Sequence, residues 1–175
     1  MATIRVDSLD FHFRTSIEAI KYDESAHYLT VLQRQGKKAV DIVAIEMGSN
    51  PDPVWLIEAK DFRSIRGEPK EANTMGLPKS VLQKVDDTCD GLRHAAINAT
   101  DPTEKQYAQR AITPTNTKIV LHLEPYRGPA TKLLPRNPAA GVLQKLKQLV
   151  KHIDPEPKVL NIANTRKAAV PWTVS

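Results

Sequence analysis

Asp41 and the triplet Glu58-Ala59-Lys60 have the residue types and the placement to act on a phosphate ester. Asp41 lies in the run Ala39-Val40-Asp41-Ile42-Val43-Ala44-Ile45, and the triplet closes Val54-Trp55-Leu56-Ile57-Glu58-Ala59-Lys60. Both runs are rich in β-branched residues, with Gly36 ahead of the first and Gly48, Asn50, Pro51 and Pro53 between them, so each reads as a strand. A strand–loop–strand connection brings the Asp41 and Glu58 carboxylates side by side. Like charges that close, in a partly buried place, require a proton or a cation. Magnesium suits the pair, because it takes oxygen ligands, needs only one or two carboxylates and fills its other positions with water and phosphate oxygens; manganese is an alternative. Lys60 follows Glu58 by two residues and shares its strand face. Its ammonium is placed to help deprotonate or orient an attacking water and to stabilise charge on a pentacoordinate phosphorus.

This arrangement resembles the PD-(D/E)XK nuclease superfamily, the restriction-endonuclease-like fold, with Asp41 and Glu58-Ala59-Lys60 matching its two central motifs and the likeness running from about Phe11 to Glu124. Val40 stands where the family pattern has Pro. The resemblance implies a single α/β domain with an α-β-β-β-α-β core and a central mixed sheet of four to five strands flanked by helices. It implies magnesium-dependent hydrolysis of phosphodiesters, with DNA the expected substrate and the metal held by Asp41, Glu58 and the Ala59 carbonyl. Glu18 is placed as the acid such proteins often carry on a preceding helix. Gln83, with Lys79 or Lys84, is the candidate contribution from the helix after the third strand, although Asp87 occupies the Tyr position of a Gln-x-x-x-Tyr signature. Two other readings stay open. A silent member of the fold would bind nucleic acid or serve a larger nuclease as a subunit. An interaction module would carry the same charges as surface ion pairs, the usual meaning of a Glu-x-Lys at a strand end.

The elements that must position these groups are read from periodicity. A first helix is expected over about 10–22, with Phe11, Ile17 and Ile20 buried, and then a strand over Tyr28–Gln33 that continues as a meander into the Asp41 and Glu58 strands. The polar segment 61–78 follows, where Arg63 and Arg66 are candidate phosphate contacts, joined by Lys79 and Lys84. Lys79–Ala99 reads as a helix weakened by Gly91, Glu104–Ile112 as a short helix whose Tyr107 and Arg110 could meet nucleic acid, and Lys118–Glu124 as the fourth strand. Asn137-Pro138 opens a last helix with an apolar stripe from Val142 to Ile153, and a fifth strand is expected over Val159–Ala163. The domain spans 1–164, with 165–175 a basic tail carrying Trp172. His12, His27, His94, His122 and His152 have no paired metal-ligand spacing and read as structural.

A chain of 175 residues with 41% hydrophobic content can bury one core. The single Cys89 excludes an internal disulfide framework, and neither a signal-peptide core nor an apolar run of membrane-spanning length is present, so a cytoplasmic protein is expected. A net charge of +5 suits a polyanionic partner and salt-sensitive binding. Cutting two strands or choosing a site would call for a homodimer or a partner subunit. No Gly-rich phosphate loop or nucleophile elbow is present, which disfavours ATP hydrolysis and serine chemistry.

Overall fold

Leu9, Phe11 and Phe13 are buried while Asp10 and His12 between them are half exposed, the period of two that a strand imposes. The computed structural model, which describes residues 2–63, 74–112, 116–127 and 138–175, accordingly has strands where a first helix was expected. β1 (Ala2–Val6) and β2 (Leu9–Phe13) form a hairpin, and β3 (Ile17–Lys21) follows the Arg14-Thr15-Ser16 turn. Apolar and aromatic residues on alternate positions outweigh the helical spacing that Ile17 and Ile20 suggest. The strand expected over Tyr28–Gln33 is corrected in the opposite sense. Tyr28–Leu32 and Gln33–Gln35 are helical turns that bury Tyr28 and Leu32, four positions apart, and leave Leu29 exposed. Gly36, at φ 77°, ends them in the left-handed conformation.

β4 (Ile42–Glu46) and β5 (Val54–Asp61) continue from β3 as the antiparallel meander. The chain then passes through α1 (Leu77–Asn98) and α2 (Pro102–Ala111) to β6 (Thr117–Glu124), and through α3 (Ala139–Val150) to β7 (Lys158–Leu160). β6 lies parallel to β5, and β7 parallel to β6, so the mixed sheet has the order β3-β4-β5-β6-β7. The fifth strand stops short of its expected end. Asn161 accepts from the Asn164 amide while Asn164 accepts from the Asn161 amide, and this reciprocal cap starts α4 (Ile162–Thr165).

The segment read as a basic tail is woven into the fold. Its β8 (Trp172–Val174) pairs with β2 and completes a second sheet of order β1-β2-β8. Each face of the five-stranded sheet is therefore covered, which is why its central strands are almost continuously apolar. On one face Val43, Ile45, Leu56 and Leu121 pack with Val81, Val85 and Leu92 of α1 and Leu146 of α3. On the other, Ile42, Ala44, Trp55 and Ile57 pack with Phe11, Phe13 and Trp172.

Candidate active site

Asp41 lies at the bend just before β4, and its position there follows from the ladder. Ile42 pairs with Ile57, so β4 supplies no backbone partner for the next inward-facing residue of β5, which is Ala59. The Asp41 carboxylate takes that role, its Oδ2 accepting from the Ala59 amide at 2.7 Å. A strand residue directs its N–H and C=O toward the same neighbour, so the Ala59 carbonyl also faces the Asp41 side. The Asp41 carbonyl accepts from the Tyr22 amide at 2.9 Å, and the Val40 amide donates to Thr88 Oγ1 of α1 at 3.0 Å, which fixes this segment between β3 and the helix.

Glu58 and Lys60 face α1. Lys60 Nζ donates to Glu58 Oε1 at 2.8 Å. Lys84 reaches the same carboxylate from α1, 2.7 Å from Oε1 and 2.8 Å from Oε2, and stands 4.0 Å from Asp41 Oδ1. Both acids thus meet one ammonium on one face of the sheet. Only 1% of Glu58 is exposed, so its charge depends on these partners. Burial pushes its carboxyl up from the ordinary value, Asp41 adds to the shift, and Lys60 and Lys84 oppose it. Burial works against the Lys60 charge as well, but the hydrogen-bonded Glu58 outweighs it and holds the ammonium above its usual range.

Several expected contributors lie elsewhere. Glu18 is on β3 opposite Ile45, and its carboxylate pairs with Arg110 at 2.6 Å. It is four residues along the strand from Tyr22, which bonds to Asp41, and at about 3.3 Å per residue that is roughly 13 Å from the site. Gln83 is exposed on α1, turned away by its one-residue offset from Lys84, and Lys79 is exposed nearer the helix start. Lys84, expected as a phosphate contact, instead sits on the acids. Arg63 is held by Asp61 through Nε at 2.9 Å and Nη2 at 2.7 Å, and Arg66 lies outside the described residues. Tyr107 is buried, its hydroxyl donating to the Val43 carbonyl at 2.8 Å, so it does not face a ligand.

Two groupings had no signal in the sequence. Asp23 follows the Tyr22 that bonds to Asp41, and its Oδ1 is buried with no hydrogen-bond partner among the described residues. His27 Nε2 and His94 Nδ1 lie 2.9 Å apart, joining the 22–35 connection to α1, although the two are far apart in the chain. Their ring centroids are 5.1 Å apart, an end-to-end arrangement in which one ring donates and the other accepts. Glu104 braces the same corner by accepting from the Ala26 and His27 amides at 2.6 and 2.9 Å. Burial first, and then His94, lower the His27 pKa from its ordinary 6.5, while Glu104 opposes them. A group lowered in this way stabilises the fold fully above 6.5 and loses that contribution as pH falls toward its folded value. The urea midpoint should therefore drop between pH 7.5 and pH 5.5, and the drop should be smaller in His27→Gln; equal drops in both proteins would assign it to other groups.

No family model matches the chain, and no solved structure matches it. A cysteine–tRNA ligase of Neisseria meningitidis is 29% identical to it over 213 aligned residues. The alignment takes in 100% of this chain and 30% of the ligase, so the chain spans less than a third of that relative's length.

Proposed function

We propose that this chain is a magnesium-dependent nuclease of the restriction-endonuclease-like fold, hydrolysing phosphodiester bonds in DNA. The observation that carries the reading is the convergence of Asp41, Glu58, Lys60 and Lys84 on one face at the carboxyl end of β5, with Glu58 buried. Open α/β sheets bind ligands beyond the carboxyl ends of their strands. The run β3-β4-β5-α1-α2-β6, with its antiparallel meander and parallel fourth strand, supports the fold assignment, although strands replace the leading helix and α2 is added before β6.

The donor set fits magnesium. Asp41 and Glu58 offer hard oxygens, the Ala59 carbonyl faces the same side, and no nitrogen or sulfur ligand is needed. When bound, the ion supplies Lewis acidity toward a phosphate oxygen and lowers the pKa of a bound water. The remaining work falls to the chain's own residues. Asp41, held by the Ala59 amide through Oδ2, has its Oδ1 4.0 Å from the Lys84 ammonium that also meets Glu58. Lys60, whose ammonium form Glu58 favours, stabilises charge that develops on the phosphoryl oxygens.

One observation favours a silent member of the same fold, acting as a nucleic-acid-binding protein or as a subunit of a larger nuclease. Lys60 and Lys84 already match the two carboxylate charges, and the described residues contain no cluster of three His, Cys, Asp or Glu side chains arranged for a metal. Manganese binding and cleavage together separate the readings. Asp41→Asn keeps the Ala59 contact while removing a charged ligand, so it should weaken manganese binding by at least the roughly 10- to 100-fold that loss of a supporting residue around a metal costs. Wild-type protein that cuts no single- or double-stranded DNA or RNA with magnesium or manganese would select the silent reading, and failure to bind manganese by calorimetry would give the two lysines as its cause.

A further inference from the structure

Lys84 stands where a cation shared by the two acids would stand. Its ammonium spans both oxygens of Glu58 at 2.7 and 2.8 Å and lies 4.0 Å from Asp41 Oδ1. A divalent ion that engages Glu58 must compete with it, because a carboxylate in such close contact with an ammonium cannot offer the same lone pairs to a metal. Lys60 also meets Oε1 of Glu58, at 2.8 Å, but Lys84 is the ammonium that lies near both acids, so it is the larger obstacle.

The surroundings provide a place for Lys84 to go. The turn Tyr22–Glu24 runs alongside the face of α1 that carries Lys84: the Tyr22 hydroxyl packs against Gly91, seven residues and about two helical turns further on. Thr88, one turn from Lys84, holds the Val40 amide that precedes Asp41. Asp23 is thus beside Asp41 and level with this part of α1, and its buried Oδ1 has no donor among the described residues. A buried carboxylate oxygen left without a donor is rare enough in folded proteins to need a cause. Burial, then Asp41, push the Asp23 carboxyl up, and Lys21 and Lys84 pull it down, so the Lys84 charge is already felt there.

We propose that Lys84 is a resident cation which the metal displaces, and that Asp23 is the acceptor to which the displaced ammonium moves. The inference rests on the reading of Asp41 and Glu58 as metal ligands. It makes Asp23 and Lys84 positioning residues that set metal affinity. The flexible four-carbon stem of a lysine lets its head change partners by rotamer change. Apparent affinity then falls by the fraction of molecules in which Lys84 has left Glu58.

Manganese binding by calorimetry at pH 7.5 tests this in four proteins: wild type, Lys84→Met, Asp23→Asn and the double variant. If Lys84 vacates Glu58 in about a tenth of molecules or fewer, Lys84→Met tightens binding by roughly tenfold or more. Asp23→Asn weakens binding in the wild-type background, where the ammonium loses its destination, and has no effect once Lys84 is gone. That non-additivity is the signature, because independent sites give additive effects. Thermal melts check that each variant is folded, and Lys84→Gln replaces Lys84→Met if the latter is not. Unchanged or weaker binding in the Lys84 variants overturns the displacement while leaving the metal reading intact, and an equal Asp23→Asn effect in both backgrounds overturns the acceptor. Absence of manganese binding in wild type and in every Lys84 variant overturns the metal reading along with it.

Discussion

Replacing Lys60 by Met should lower magnesium-dependent cleavage of a mixed DNA substrate by about a hundredfold or more, the scale on which enzymes lose rate when one preorganised electrostatic donor is removed. The methionine keeps much of the apolar stem, so the fold and the packing around β5 should persist. Two observations sharpen the expectation. Lys60 retains partial exposure at 32% of its side chain while Glu58 beneath it has 1%, so the ammonium is the part of the pair that a substrate can reach. Glu58 favours the charged form of Lys60, so the expected loss is of transition-state charge stabilisation. Substrate affinity in calcium should then change little while the turnover rate falls, the pattern of an interaction made mainly in the transition state. Equal cleavage by wild type and Lys60→Met would remove the role assigned to Lys60. A large loss of affinity with turnover unchanged would recast it as a phosphate-binding residue.

Much of what positions the site is legible in the sequence, because it depends on local pattern. The runs ending at Ile45 and Lys60 are apolar on both faces, bounded by Gly and Pro, and lie where β4 and β5 form. α1, α2, β6 and α3 also fall close to their periodic signals. The N-terminal part was less legible for a physical reason. Over five residues a helical and a strand spacing of apolar side chains are hard to tell apart, and tertiary cover decided between them: β2 gains a partner on each side, β1 and β8, while Tyr28 and Leu32 gain a helix surface to pack on.

The site divides along the same line. Asp41, Glu58 and Lys60 are near one another because adjacent strands make them so, and the sequence carries that information. Lys84 could be narrowed to a few helical positions, but choosing it over Gln83 requires the rotation of α1 about its axis, which only packing sets. Glu18 was placed by analogy on a helix that does not form, and Arg110 claims it instead. Asp23 and the His27–His94 pair depend on how the 22–35 connection folds back on α1, for which no short-range signal exists.

Trp172→Ala should cost about 3–5 kcal/mol, the usual range for truncating a buried aromatic, although Trp172 belongs to a segment that composition alone marks as a basic tail. Only 3% of this side chain is exposed. Its ring meets Trp55 edge-on, with centroids 5.2 Å apart, and lies 5.7 Å from Phe13. Trp55 is on β5, three residues before Glu58, so Trp172 fills the layer behind the strand that carries the candidate catalytic residues. The cavity left by alanine would adjoin β2, β5 and β8 together, and small collapse of any one of them cannot fill it. In a domain of this size each 1 kcal/mol lowers the melting temperature by roughly 2–4 °C, so a fall of about 10 °C is expected. Trp172→Phe should recover much of the loss, because it restores apolar volume and removes an indole N–H that is buried without a partner among the described residues. A change of about 0.5 kcal/mol or less would be the behaviour of a surface residue and would mean that β8 does not pack as described. Manganese affinity in the folded Trp172→Ala protein should also weaken, since the register of Ala59 against Asp41 is held from behind by this layer.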